Sequence, residues 1–246
     1  MGPVAPPLPS SPPHRIEPIR GVNIPDLAEE RDLASQGCER VAGMDEVGRG
    51  AWAGPVTVGV AIVRPDATER SMPSWLRDSK QLSEQRRESI FHEVGQWCLA
   101  WSVGHAGPGE CDAFGMTAAL RLASHRALAA LDAPPTALLV DGPVDLLRAP
   151  GDAPPVFAGL VRPVIKGDAK CASVAAASVL AKVVRDGIMR AESEHFPAYA
   201  FERNKGYPSP VHQRALRGYG LSAIHRRSWS YVDDLPWWVS PPPVGD

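Results

Sequence analysis

Residues 40–63 read RVAGMDEVGRGAWAGPVTVGVAIV, two apolar runs enclosing a glycine-rich centre. The runs 40–45 and 56–63 consist largely of β-branched and small apolar residues, which favours strands. The glycines between them permit a tight or bulged connection, so the pair is expected to form a hairpin. The first run ends in two carboxylates, Asp45 and Glu46, directly before Gly48-Arg49-Gly50. Adjacent side chains on a regular strand point to opposite faces. One site can therefore use both acids only if the strand breaks here, and Gly48 permits such a break.

Outward from this hairpin, apolar spacing predicts helices over 83–98, through Ile90, Phe91, Val94 and Cys98, and over 117–131, through Leu120, Leu122, Ala127 and Leu131. Segments 136–141 and 161–165 are short apolar strands bounded by Pro and Gly, and 173–189 is a long helix with Ser173 as its candidate N-cap. Its face of Ser173, Ala176, Ala177, Leu180, Ala181 and Val184 lets a backbone lie close against a sheet, as an ordinary core helix also does. Lys170, Lys182 and Arg185 read as a solvated outer stripe. Strands followed by alternating helices and strands indicate an α/β fold with a central mixed sheet flanked by helices.

The chain has 246 residues, 44% hydrophobic and 22% charged, which is ordinary globular composition and enough to bury a core. No apolar stretch approaches the ~20 residues of a bilayer-spanning helix, so no membrane association is expected. Residues 1–38 are rich in proline and poor in apolar side chains and are expected to be a flexible extension. Residues 39–235 form one unit, and 236–246 read as a flexible tail. The opening MGPVAPPLPSSPPHR has prolines where a signal peptide needs a continuous apolar helix. Cys38, Cys98, Cys111 and Cys171 show no paired spacing, which suits neither a zinc site nor a disulfide framework; a cytoplasmic location is expected. Net charge is only −2, yet no acidic residue occurs from 203 to 232, where Arg203, Lys205, Arg214, Arg217, Arg226 and Arg227 form a basic stretch that His212 and His225 can join.

A second apolar strand, 136–141, also ends in a carboxylate, Asp141, ahead of Gly142-Pro143, and Asp168, within IKGDAK, stands at the end of a third. Ligands of open α/β sheets gather beyond strand ends, so these acids can join Asp45 and Glu46. Taken singly, each has a plainer reading: an exposed turn for Asp45-Glu46, and for Asp168 the positive end of the next helix. Clustered carboxylates repel one another unless a cation neutralises them. Oxygen-only donors favour Mg²⁺ or Mn²⁺, and Mg²⁺ leaves positions for water and phosphate, which points to phosphodiester chemistry. Gly48-Arg49-Gly50 can bring backbone N–H groups to a sugar or phosphate, although alone it reads as a turn. Tyr207, in the loop Lys205–Ser209, can stack on a sugar or base, or equally be a core tyrosine. Lys80, in Asp78-Ser79-Lys80, can hold phosphate or simply open a helix.

Six motifs in order, GMDEVGRGAWAGPV, DSKQLSEQRR, LLVDG, KGDAKCASVAAASVLAKVVRD, NKGYPSP and HRRSW, closely resemble bacterial ribonuclease HII, the type 2 ribonuclease H, over roughly residues 40–231. The resemblance implies a ribonuclease H-like fold with a helical C-terminal portion that helps hold the nucleic acid. It implies an endonuclease that cuts the RNA strand of RNA–DNA hybrids and also single ribonucleotides embedded in duplex DNA, leaving 3′-hydroxyl and 5′-phosphate ends. It further implies Asp45, Glu46, Asp141 and Asp168 as catalytic carboxylates, the first three as metal ligands, with one Mn²⁺ or Mg²⁺ ion without substrate and two with it. By the same resemblance Gly48, Arg49 and Gly50 read the ribose 2′-hydroxyl, Tyr207 stacks on the deoxyribose at the junction, and Lys80, Lys182 and Arg185 contact phosphates. The expected partners are RNA–DNA hybrid and ribonucleotide-containing duplex DNA, and the expected state is a monomer. Trp52, the proline-rich extension and Trp237-Trp238 depart from the family core. Two rivals fit parts of the pattern: a junction resolvase with the same acids, and a non-catalytic hybrid-binding module.

Overall fold

The computed structural model describes residues 24–64, 72–73, 76, 82–142, 144–147 and 157–236. Strands β1 (Val41–Val47), β2 (Val56–Val63) and β3 (Ala100–Ala106) form an antiparallel meander, and β4 (Ala137–Asp141) and β5 (Leu160–Val164) extend the sheet in parallel on the other side of β1. The spatial order is β3-β2-β1-β4-β5. Helices α1 (Ala28–Ser35), α2 (Glu84–Trp97), α3 (Pro108–Ala129) and α4 (Ala172–His195) cover it, and the short α5 (Phe201–Asn204) and α6 (Pro210–Tyr219) follow. Among the described residues no helix is long and apolar enough to cross a membrane.

Alternation along β1 and β2 separates two cores. Ala42, Met44, Val56, Val58, Val60 and Ile62 pack against the α3 face with Leu120, Ala123 and Ala127. On the other face Ala61 and Val63 meet Ala176, Val179 and Leu180 of α4 and Ile90 and Val94 of α2. The mixed α/β architecture expected from the sequence is therefore present. Residues 172–181 of α4 are buried all round, so its small side chains serve packing on every side. A Cβ added to Gly43 of β1 would sit 2.2 Å from Ser173 C and Val174 N, and one on Gly59 of β2 2.5 Å from Ala177 O. The α4 backbone thus rests directly on the sheet because these two strand positions lack side chains.

Several elements differ from the sequence reading. β1 continues past Asp45 to Val47, and the chain turns at Gly48, where φ is +87°. β3 is an additional strand. Its inward positions are Ser102, Gly104 and Ala106 rather than large apolar residues, and Gly104 lies against the α3 backbone, where an added Cβ would be 2.1 Å from Ala123 O. α3 starts at Pro108 rather than 117 and breaks at Gly115, where φ is +76° and ψ +165°. Its opening carries an N-terminal signal in the sequence, Gly107-Pro108 with Glu110, whose carboxylate accepts from the Gly107 N–H at 2.8 Å.

Ser173 is not the N-cap of α4. That position is Cys171, and Ser173 lies inside the helix, its N–H and hydroxyl both donating to Glu30 Oε1 at 2.8 and 2.7 Å. The cap comes from α1, through an anion placed at the positive end of α4. Burial pushes the Glu30 carboxyl above the ordinary range, against the lowering effect of its Ser173 hydrogen bonds. α1 itself lies within the stretch 1–38 expected to be flexible: Leu27, Glu30 and Leu33 are buried, and Asp26 bridges to Cys171. About two turns of amphipathic helix are hidden by the proline-rich composition around them. Residues 1–23 and 237–246, including Trp237 and Trp238, lie outside the described residues, whereas Leu235 still belongs to the core. The cysteines are free thiols, three of them buried.

Candidate active site

Parallel pairing sets the site. β1 and β4 run in the same direction with Met44 opposite Val140, so the next residues, Asp45 and Asp141, emerge side by side where the two strands end. Beyond them opens a cleft of about 240 Å³, bordered by Asp45, Glu46 and Asp141, by residues 47–50, and by Lys182 and Tyr207. Asp45 points toward α4 and is only 4% exposed; it accepts hydrogen bonds from the Glu46 N–H and from Ser178. Glu46 lies on the opposite side of the strand, yet it reaches the same cleft because pairing stops one residue later.

Asp141 Oδ1 accepts from the Gly167 N–H at 2.8 Å, which ties the end of β4 to the 3-10 turn Gly167–Ala169. That turn carries Asp168, buried at 4% exposure and close enough to Asp45 for their charges to interact. Asp168 is thus presented by a turn after β5, not by a strand end. Burial first, and then the charges of Glu46, Asp141 and Asp168, push the Asp45 carboxyl up to about 7, against the lowering effect of Ser178. A cation placed among these oxygens would relieve both burdens. Among the described residues no three His, Cys, Asp or Glu side chains enclose an ion by themselves. An ion held here would complete its shell with water or phosphate oxygens, the habit of Mg²⁺ rather than of a caged metal.

The remaining wall is built from loops. Tyr207 is half-buried, and its hydroxyl accepts from the Gly48 N–H at 3.1 Å, so the aromatic ring and the glycine loop meet. Lys182 Nζ lies 5.8 Å from the centre of that ring and donates to Asp186 Oδ1 at 2.6 Å. Arg49 is exposed at the rim, 3.9 Å from Glu46 Oε1.

A model of the ribonuclease HII family matches residues 42–232, a span that holds all four acids, the glycine loop and Tyr207. The chain belongs to the ribonuclease HII family. A ribonuclease HII of Streptomyces avermitilis is 48% identical over 215 residues, covering 87% of each chain. The crystal structure of ribonuclease H2 from Pyrococcus horikoshii shares the fold with a TM-score of 0.65 at 28% identity, over 79% of this chain and 96% of that one. The Archaeoglobus fulgidus ribonuclease HII, solved as a complex with PCNA, gives the same TM-score at 26% identity, over 81% of this chain and 98% of that one. Members of the ribonuclease HII family cleave RNA in RNA–DNA hybrids, and ribonuclease H activity is the activity of this chain.

Within this ribonuclease HII fold, two expectations about cations need correction. Arg185 is neither a solvated charge nor free to touch phosphate. It is fully buried, and its guanidinium donates to the carbonyls of Pro55, Lys205 and Ala53 at 2.9, 3.0 and 3.3 Å. The basic stretch 203–232 is likewise split. Arg203, Arg214, Arg217 and Arg227 are exposed, whereas Lys205 and Arg226 turn inward, Lys205 to pair with Glu84 at 2.8 Å. Lys80 lies outside the described residues.

His212 and His225 do not add to the positive charge. They are buried against each other, Nε2 to Nε2 at 2.9 Å. Burial lowers both, His225 to about 3, with His212 adding to that shift. The sign for stability follows. The unfolded chain takes up a proton on this ring at the ordinary imidazole pKa near 6.5, while the folded chain resists until about 3, so stability falls as pH drops through that window. Between pH 7 and 5 this ring alone is expected to cost about 2 kcal/mol. Urea unfolding of wild type and His225→Gln at both pH values isolates it: the variant should show the shallower loss, and parallel losses would contradict the assignment.

Sequence reading did not place Ser178, Arg226 or the histidine pair behind the cleft, where they contact Asp45, the glycine loop and the Tyr207 carbonyl. Ser178 had a signal, as the hydroxyl interrupting an alanine-rich helix one turn from the sheet. The placement of Arg226 and His225 depends on contacts across more than 170 residues, or through a second ring, and no local pattern carries those.

Proposed function

We propose that this chain cuts DNA duplexes at embedded ribonucleotides as well as RNA–DNA hybrids, leaving 3′-hydroxyl and 5′-phosphate ends. The observation that supports this reading is the meeting of three carboxylates, a glycine loop and an aromatic ring around one cleft. Asp45, Glu46 and Asp141 hold Mg²⁺ or Mn²⁺, with Asp168 adding negative charge from behind Asp45. Two divalent ions held by these carboxylates together with substrate would supply a lowered pKa for the attacking water and charge neutralisation at the departing 3′-oxygen. The backbone at Gly48, Arg49 and Gly50 contacts the ribose 2′-hydroxyl, the group that distinguishes RNA from DNA at a single position. Tyr207 stacks on the adjoining deoxyribose, and Lys182, at the cleft edge, faces the backbone phosphate.

Gly50 allows this reading to be separated from folding. A Cβ added there meets nothing within 4 Å, and its φ lies outside the positive range, so the fold does not require glycine at this position. Gly50→Ala should unfold with the wild-type midpoint, within about 0.5 kcal/mol, and should lose affinity for a ribonucleotide-bearing duplex because the methyl group stands where the sugar approaches. Full retention of that affinity would contradict the loop's role.

The overall test is a DNA duplex carrying one ribonucleotide, incubated with Mg²⁺, Mn²⁺ or chelator and mapped at nucleotide resolution. Cutting at the ribonucleotide with metal present, and none with chelator, is expected. Cleavage of an all-DNA duplex would favour the resolvase reading, and tight binding without cleavage would favour a binding module.

A further inference from the structure

The HRRSW segment, 225–229, carries no assigned role in the site, yet it touches both of its loops. We propose that His225 and Arg226 are positioning residues that hold the glycine loop and Tyr207 in mutual register, and so set discrimination between ribose and deoxyribose. The proposal rests on the reading of that loop as the 2′-hydroxyl contact.

Arg226 is fully buried. Its Nη2 donates to Gly48 O at 2.7 Å, Nη1 to Arg49 O at 2.9 Å and Nε to Gly54 O at 3.1 Å. One rigid fork therefore fixes three carbonyls of a single loop, a geometry an ammonium group cannot reproduce. Its backbone N–H also donates to Trp52 O at 2.8 Å. With the carbonyls of Gly48 and Arg49 held behind the loop, the opposite edges of those peptide planes are oriented toward the cleft.

The neighbouring side chain turns to the other loop. The Ser222 N–H donates to His225 Nδ1 at 2.9 Å, which makes that nitrogen the acceptor and leaves the proton on Nε2. His225 Nε2–H then donates to His212 Nε2 at 2.9 Å, and His212 Nδ1–H to the Tyr207 carbonyl at 2.9 Å. A carbonyl can only accept, so both ends of the chain demand the same proton direction. Two adjacent residues thus anchor the two loops, and the loops close the circuit themselves: the Gly48 N–H donates to Tyr207 Oη, and the Trp52 N–H to Gly206 O at 2.8 Å.

The test measures affinity of the full chain, with Ca²⁺ as the metal, for two duplexes of one sequence, with and without a single ribonucleotide. Variants are Arg226→Gln, Arg226→Lys as the charge-keeping control, and His225→Gln, each checked for folding by circular dichroism and thermal melting. Wild type is expected to prefer the ribonucleotide duplex. Arg226→Gln should lower that preference about tenfold and His225→Gln should lower it less, with all-DNA affinity unchanged and Arg226→Lys intermediate. Equal weakening toward both duplexes reports loss of folded protein alone and overturns the proposal, as does an unchanged preference in the folded variants. A wild type with no preference overturns the functional reading itself, and this proposal with it.

Discussion

Asp45→Asn is expected to abolish cleavage, by about 10³-fold or more, while making the chain more resistant to heat. The carboxylate is 4% exposed and faces the charges of Glu46, Asp141 and Asp168, so in the absence of a cation its own charge opposes folding. An asparagine keeps the shape and can still accept from the Glu46 N–H and from Ser178, but it removes the charge. Thermal melting in chelator should therefore place the variant above wild type, and the rise in melting temperature that Mn²⁺ gives the wild type should shrink or vanish. Asp141→Asn should lose activity in the same way, without the gain in chelator of comparable size, because Asp141 is more exposed and its Oδ1 already accepts the Gly167 N–H. A folded Asp45→Asn or Asp141→Asn protein with near-normal turnover would remove the metal role.

Gly43→Ala should be strongly destabilising for a single added methyl group. The added carbon would lie 2.2 Å from two backbone atoms of α4, and neither can move without the helix. Lifting α4 from β1 costs the packing of Ala175, Ala176 and Leu180 beneath it and separates Ser178 from Asp45. A loss of about 3 kcal/mol or more is expected, roughly 6–12 °C in melting temperature. A matched Gly37→Ala or Gly218→Ala control does not apply the same contact, since nothing lies within 4 Å of either added carbon, although Gly37 at φ +91° carries its own backbone strain. Gly218→Ala is thus the clean comparison. A Gly43→Ala melting temperature within 2 °C of it, well under the expected shift, would show that α4 can back away freely.

Much of this arrangement was legible from local pattern. The β1–β2 hairpin, the strand leading to Asp141 and the small-residue helix over the sheet could be read because their apolar residues are β-branched or regularly spaced. β3 could not, because its inward side chains are Ser102, Gly104 and Ala106, small by necessity where α3 lies close, and small residues leave no hydrophobic period. The acids were found because strand ends in α/β sheets collect ligands, but the reason Asp45 and Asp141 meet is the parallel register of β1 and β4, which pairing alone decides. Buried cations were misread in a consistent direction. Arg185, Lys205 and Arg226 belong to sequences that look like a basic surface, and each is instead turned inward to backbone carbonyls or to Glu84. Charge counted along a chain does not say which side of the loop it faces.

Asp45, Glu46 and Asp141 are proposed to share divalent ions at the ends of β1 and β4. Crystals soaked in Mn²⁺ and measured at the manganese absorption edge test it most directly. An anomalous peak bounded by Asp45 and Asp141, absent from Asp45→Asn crystals under the same soak, is the expected result. A Mn²⁺ peak bound elsewhere, or one that persists undiminished in Asp45→Asn, would contradict it.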